Sequence, residues 1–208
     1  MTNRPTRTHS TQARRIPTVS PKSVQSGRQP DWLAGGDRHA LAVERIHAAA
    51  AELIARNGMA GLNIDHVAAH AGCSRATVYR YVGGKSALRE AVLTAATNRI
   101  AATIQRSVAT LTGPDRIARA ILAALDAVRA DPVAVAFLAA TTPQEVGTYL
   151  AGNPRLADTA TALTATTDDP ATGQWIVRVV LSLLFWPASD PTSERTLVDR
   201  FVVPAFTP

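Results

Sequence analysis

The sequence predicts an all-α protein, a three-helix head carrying a helix-turn-helix followed by a helical C-terminal body. Three observations predict it. Apolar residues recur at spacings of three and four through most of the chain after residue 37. Helix breakers divide the periodic segments, as in Gly113-Pro114-Asp115 and Asp131-Pro132. No run alternates in the manner of a half-buried strand. At 208 residues and 46% hydrophobic content the chain suits one or two domains with a real core.

Residues 1–36 are rich in Thr, Ser, Pro, Gln and Arg and hold few apolar side chains. Such a segment buries too little surface to offset its ordering entropy, so a disordered basic tail is expected. Its arginines suit either a solvated tail or an arm in a minor groove. The first helix is expected over Arg38 to Asn57, capped by Asp37 and ended by Gly58. Leu41, Ile46, Ala50, Leu53 and Ile54 would face inward, with Leu62 and Ile64 packed beneath. Arg38 and Arg45 would lie within reach of phosphate.

The stretch from Ile64 to Lys85 organises the rest: two short helices joined by a tight turn, within residues 37–84 read as one DNA-binding domain. Asn63 and Ser74 are suited to cap them. Val67, Ala68 and Ala71 share a face, and Gly72 stands where a positive φ is wanted. Ala68, Gly72 and Val78 hold the positions where a helix-turn-helix brings its helices close, turns, and fills the angle. The second helix then presents Arg75, Ala76, Thr77, Tyr79, Arg80 and Tyr81, the donors, aromatic edges and small apolar contacts that read a major groove. A plain core hairpin has the same spacing. Lys85 opens the next helix beside free backbone N–H groups, a ready phosphate site.

From Arg45 to Leu93 the chain resembles the TetR family of one-component repressors. The likeness rests on A-A-A-E-L-I-A-R-N-G, then V-A-A-H-A-G-C-S-R-A-T-V-Y-R-Y-V, then K-S-A-L. Two departures are visible. Leu62-Asn63 replaces a usual pair of threonines, and Val82 replaces a frequent Phe. The residues expected at DNA are Arg45, Asn63, Ser74, Arg75, Ala76, Thr77, Tyr79, Arg80, Tyr81 and Lys85. Arg75, Thr77 and Arg80 would read bases, Tyr79 would meet a phosphate and a thymine methyl, and Tyr81 and Lys85 would hold phosphate.

Residues 85–208 read as a regulatory and dimerisation domain. A long helix from Lys85 to about Val108 turns Leu88, Val92, Ala95, Ile100 and Ile104 inward. A second follows Pro114, with Ile117, Ile121, Leu122, Leu125 and Val128 as its apolar face. Short helices follow at 133–140 and from Pro143; the path of residues 152–172 is not readable. Trp175 to Trp186 is apolar nearly all round yet, at 12 residues, too short to span a bilayer. A partner subunit is expected to cover one face of it, the alternative being the core of a monomer, and no membrane partner is expected. A last helix from about Ser193 to Val203 aligns Leu197 with Phe201 and Val198 with Val202. The family resemblance implies a homodimer in which the last two helices of each subunit form a four-helix bundle. Its expected interface is Trp175, Arg178, Leu181, Ser182, Phe185, Leu197 and Phe201.

Charge follows the same division. Residues 1–36 carry net +5, residues 37–106 net +4 and residues 107–208 net −3, so the positive charge lies with the motif and the tail. The single cysteine, Cys73, excludes an internal disulfide framework and fits a small structural thiol in a reducing cytosol. The basic N-terminus is not followed by the apolar segment of a secretory signal, so a cytoplasmic location is expected. His66 and His70 stand four apart, but no third ligand accompanies them, and neither a metal nor a cofactor is expected. With no phosphate-binding glycine loop, paired catalytic carboxylates or Ser–His–Asp set, an enzyme is not expected.

The expected partners are a double-stranded DNA operator, a second copy and a small-molecule effector; that the effector releases DNA is what the family resemblance implies. The sequence does not name the effector. Phe137 and its Ala- and Val-rich surroundings suit an apolar pocket or an ordinary core. Ligand between helices of residues 107–172 would shift the helix beginning at Lys85 and respace the two reading heads. A ligand-modifying enzyme on a DNA anchor, or an architectural protein without a ligand, are the alternatives.

Overall fold

The computed structural model describes Met1 and residues 32–151, 153–166 and 170–206. The tail read as disordered lies, up to residue 31, outside the described residues. The head comprises α1 (Trp32–Asn57), α2 (Ile64–Ala71) and α3 (Arg75–Val82), with a 3-10 turn at Met59–Gly61. The body comprises α4 (Lys85–Val108), α5 (Gly113–Ala130), α6 (Pro132–Ala139), α7 (Pro143–Ala151), α8 (Pro154–Thr164), α9 (Pro170–Phe185) and α10 (Pro191–Leu197). There is no strand among the described residues, and no helix there is long and apolar enough to cross a membrane.

Several expected elements need correction. The first helix begins at Trp32, so Asp37 stands inside it and not at its N-terminal boundary. Gly35 and Gly36 cost a helix ~1 kcal/mol each relative to Ala but do not clash with helical backbone angles, so they do not stop it. Leu41 is 57% exposed, because its five-residue offset from Ile46 is a rotation of ~140°. Ala96, not Ala95, is the buried alanine of α4. Residues 154–164, unread in the sequence, form α8, with Ala160 and Leu163 buried. The last helix starts at Pro191, where Asp190 accepts from the Ser193 N–H at 2.9 Å. It widens into a π-type turn at Val198–Val202 and a 3-10 turn at Val203–Phe206. Val198, Val202 and Val203 are buried while Leu197 and Phe201 face water.

One core fills the head and extends beyond it. Ile46, Ala50 and Ile54 of α1 meet Val67 of α2, Val78 of α3, and Leu88 and Val92 of α4. Val133 of α6 joins the same cluster at 2% exposure. A second core joins α5, α9 and the C-terminal turns through Ile121, Leu125, Ile176 and Val198. α8 and α9 approach closely at Gly173, where an added Cβ would collide with the Ala157 carbonyl and the Thr161 hydroxyl.

Three arginines tie the body together. Arg116 donates to the carbonyls of Val108 (3.1 Å), Leu111 (3.3 Å) and Leu163 (2.8 Å), holding the C-terminal ends of α4 and α8. Arg99 of α4 donates to Asp131 Oδ2 at 2.8 Å. The other Asp131 oxygen accepts from the N–H groups of Val133 and Ala134, both at 3.0 Å, and so caps α6. Arg129 of α5 makes a two-pronged pair with Glu194 of α10, at 2.7 and 2.6 Å, and Glu194 is only 6% exposed.

Candidate nucleic-acid interface

The two helices of the motif are built by local rules. The Asn63 side chain accepts from the Asp65 N–H at 2.7 Å, and the Ser74 hydroxyl accepts from the Thr77 N–H at 3.1 Å. Gly72 ends α2 at φ 66°, ψ 40°, the left-handed turn that only glycine enters without strain. Val78 is fully buried in the angle between the helices. Arg75, Ala76 and Arg80 are exposed and Tyr79 is half exposed, so the outer face of α3 is open to a ligand as large as DNA.

Several of the expected DNA residues have partners within the head. Arg75 donates from Nε to Asp65 Oδ1 at 2.9 Å, with both side chains more than half exposed. Arg80 donates to the Tyr81 hydroxyl at 3.1 Å, and its guanidinium lies 4.8 Å from that ring's centroid. Tyr81 is half-buried, edge-on to His39 of α1 at 4.6 Å. Arg45 donates to the Ala71 carbonyl at 2.8 Å and braces the end of α2. Thr77 shares a hydrogen bond with the Ser74 hydroxyl at 2.9 Å. His70 pairs with Glu52 at 2.7 Å, and no group of three or more metal-binding side chains exists among the described residues.

Lys85 is exposed at the first position of α4. Gly83 (φ 84°) and Gly84 (φ 106°, ψ −171°) form the link from α3. A Cβ at Gly84 would lie 3.2 Å from the Tyr79 ring. Glycine there serves both to reverse the chain and to let Tyr79 lie against it. α4 has no acidic residue in its first turn, so its N-terminal dipole is uncompensated.

Sequence reasoning missed the Asp65–Arg75 and Glu52–His70 pairs, because each joins two helices at a crossing that no fixed spacing encodes. It also gave no role to Trp186, which is 66% exposed. Among the residues expected at a dimer interface, Trp175, Leu197 and Phe201 are 49%, 40% and 64% exposed. Arg178 and Ser182 are also exposed, while Leu181 and Phe185 are half-buried. Leu181 lines a cavity inside the body as well as a groove between α7, α8 and α9.

That cavity, of about 210 Å³, lies among α4, α5, α6, α7, α8 and α9. It exists because Ala96, Ala101, Ala120, Ala124, Ala134 and Ala160 stand where larger side chains would fill it. Phe137 of α6 and Tyr149 of α7 form an aromatic wall, their centroids 5.4 Å apart.

Known proteins resemble the chain in sequence, over the head and over most of its length. The family model described as bacterial regulatory proteins, tetR family, matches residues 46–92. Two relatives, from Mycobacterium tuberculosis strains CDC 1551 / Oshkosh and H37Rv, are both described as uncharacterized HTH-type transcriptional regulators. Each is 35% identical over 186 residues, covering 86% of this chain and 91% of the relative. A solved TetR-like transcriptional regulator from Rhodococcus sp. RHA1 aligns over 77% of this chain and 84% of its own, at 20% identity and a TM-score of 0.48. On the strength of the family match and the two relatives, the chain belongs to the TetR family of DNA-binding transcriptional regulators.

Proposed function

We propose that the protein is a repressor that binds a palindromic operator as a homodimer and leaves it when a small molecule fills the cavity. The observation that carries the reading is α3. Its one fully buried residue, Val78, anchors it, while Arg75, Ala76, Tyr79 and Arg80 face outward. Arg75, Thr77 and Arg80 read base edges. Lys85 and the free N–H groups of α4 hold a phosphate and set the register. Tyr81 serves from its half-buried seat, after Arg80 turns from it to the DNA.

Trp175, Trp186, Leu197 and Phe201 leave large apolar surfaces in water on the last helical segments. The same surface of a second copy would cover them. Two copies of α3 then face half-sites one turn apart, ~34 Å, or further if two dimers bind. Footprinting should show a protected region with twofold symmetry. A single asymmetric half-site protected at saturation would contradict the dimeric reading.

α6 supplies the route from ligand to DNA. Val133 sits in the head's core, whereas Ala134, Phe137 and Leu138 of the same helix line the cavity. A ligand that displaces Phe137 therefore moves α6 against α1 and α4. DNA affinity falls because the ligand binds the released arrangement better. The ligand leaves unchanged, and turnover of it would contradict this part.

The Asp65–Arg75 pair competes with DNA for the same guanidinium. An exposed ion pair is worth ~0.2–1 kcal/mol, so Asp65→Asn should tighten operator binding by up to roughly fivefold. Fluorescence anisotropy checks this, and an unchanged or weaker affinity would remove Arg75 from the contact set or the pair from the account.

A further inference from the structure

We infer that the effector is a neutral, almost wholly hydrocarbon molecule built on one ring, and that charged molecules of the same shape are refused. The inference rests on the reading above, in which this cavity is the effector site. Size comes from the volume. The cavity is about 210 Å³, and an apolar protein cavity of ~150 Å³ holds one benzene. There is room for a ring carrying about two or three further carbons.

Chemistry comes from the walls. Among the described residues, no Asp, Glu, Lys, Arg or His lines the cavity. The threonine hydroxyls there are committed to their own helices. Thr97 donates to the Leu93 carbonyl at 3.0 Å, Thr159 to Arg155 at 2.7 Å, and Thr164 to Ala160 at 2.8 Å. The fourth hydroxyl is that of Tyr149. Burial pushes its pKa up, so it stays protonated and uncharged at neutral pH. Glu90 and Arg89 act on it from outside the cavity, with opposite signs. A cation or carboxylate placed inside would lose its water and meet no counter-charge in the described lining. A hydrocarbon would lose nothing and gain contact with the apolar lining, with the Phe137–Tyr149 wall offering a ring an edge or face.

The test uses two probes of one shape, ethylbenzene and the benzylammonium ion, with benzoate as the anion. Binding to the full chain is measured by calorimetry and by the shift in melting temperature. Ethylbenzene should bind and raise the melting temperature. The cation and benzoate should bind at least ~100-fold more weakly. Ala124→Leu should fill the cavity and weaken ethylbenzene at least ~10-fold, with helical circular dichroism confirming the fold. Ala101→Leu replaces it should Ala124→Leu not fold. Equal binding of either ion, no binding of the hydrocarbon, or binding indifferent to the filled cavity would overturn the inference. Operator release is scored separately. If the hydrocarbon binds selectively but the operator complex survives saturation, release fails and the ligand class stands. If only an ion releases the operator, the ligand class fails and release stands.

Discussion

Trp175→Asp combined with Phe201→Asp should leave the protein monomeric and weaken operator binding by at least ~100-fold, because two linked heads gain that much or more over one. Both side chains are about half exposed or more in the single chain, so neither substitution opens a core. A carboxylate at each would instead be desolvated in a contact between two copies. Leu181→Asp is a poorer probe, since Leu181 also lines the cavity and its replacement would disturb the body. Sedimentation and operator titration on the same sample check the result. An undisturbed dimer would move the interface away from the last two helical segments.

Arg129→Ala should lower stability by ~3 kcal/mol, the lower end of what breaking a buried pair costs, because Arg129 itself is 40% exposed. The loss comes from the Glu194 carboxylate, left almost wholly buried without its partner. α10 then loses its tie to α5. For a chain of this length the melting temperature should fall by roughly 6–12 °C. The double substitution Arg129→Met with Glu194→Leu should recover most of that, since an apolar pair in such a place is often as stable as the ionic one. Thermal melts of both variants decide it. A melt unchanged by Arg129→Ala, or a double variant no better than the single, would contradict this account of the pair.

The head was legible because its geometry is set by residues next to one another. Asn63, Gly72, Ser74 and Val78 each do their work within a few positions of where they stand, and all four are found in the expected roles. The start of α1 was less legible, because Gly35, Gly36 and Asp37 look like a boundary and the helix runs through them. α8 was hidden for a similar reason. Its threonines and the Gly, Asn and Pro before it read as a loop, while its buried face holds little more than Ala160 and Leu163. The cavity was legible only in part, because Phe137 and its Ala- and Val-rich surroundings suited a pocket and an ordinary core alike. A row of alanines has the composition of a tight core, and only the spacing of α4, α5, α6 and α8 leaves them facing space. The partners of Arg75 and Arg45 depend on how α1, α2 and α3 cross, which the sequence pattern does not specify.

The most direct test of α3 as the reading element is operator affinity against salt concentration, for the native protein, Arg75→Ala and Lys85→Ala, each beside a scrambled duplex. Arg75→Ala should cost ~1–3 kcal/mol on the operator and little on the scrambled sequence. Lys85→Ala should weaken both about equally and reduce the salt slope by roughly one unit. Arg75→Ala weakening both duplexes alike, with Lys85→Ala leaving the slope unchanged, would contradict the assignment of base reading to α3 and of phosphate binding to the start of α4.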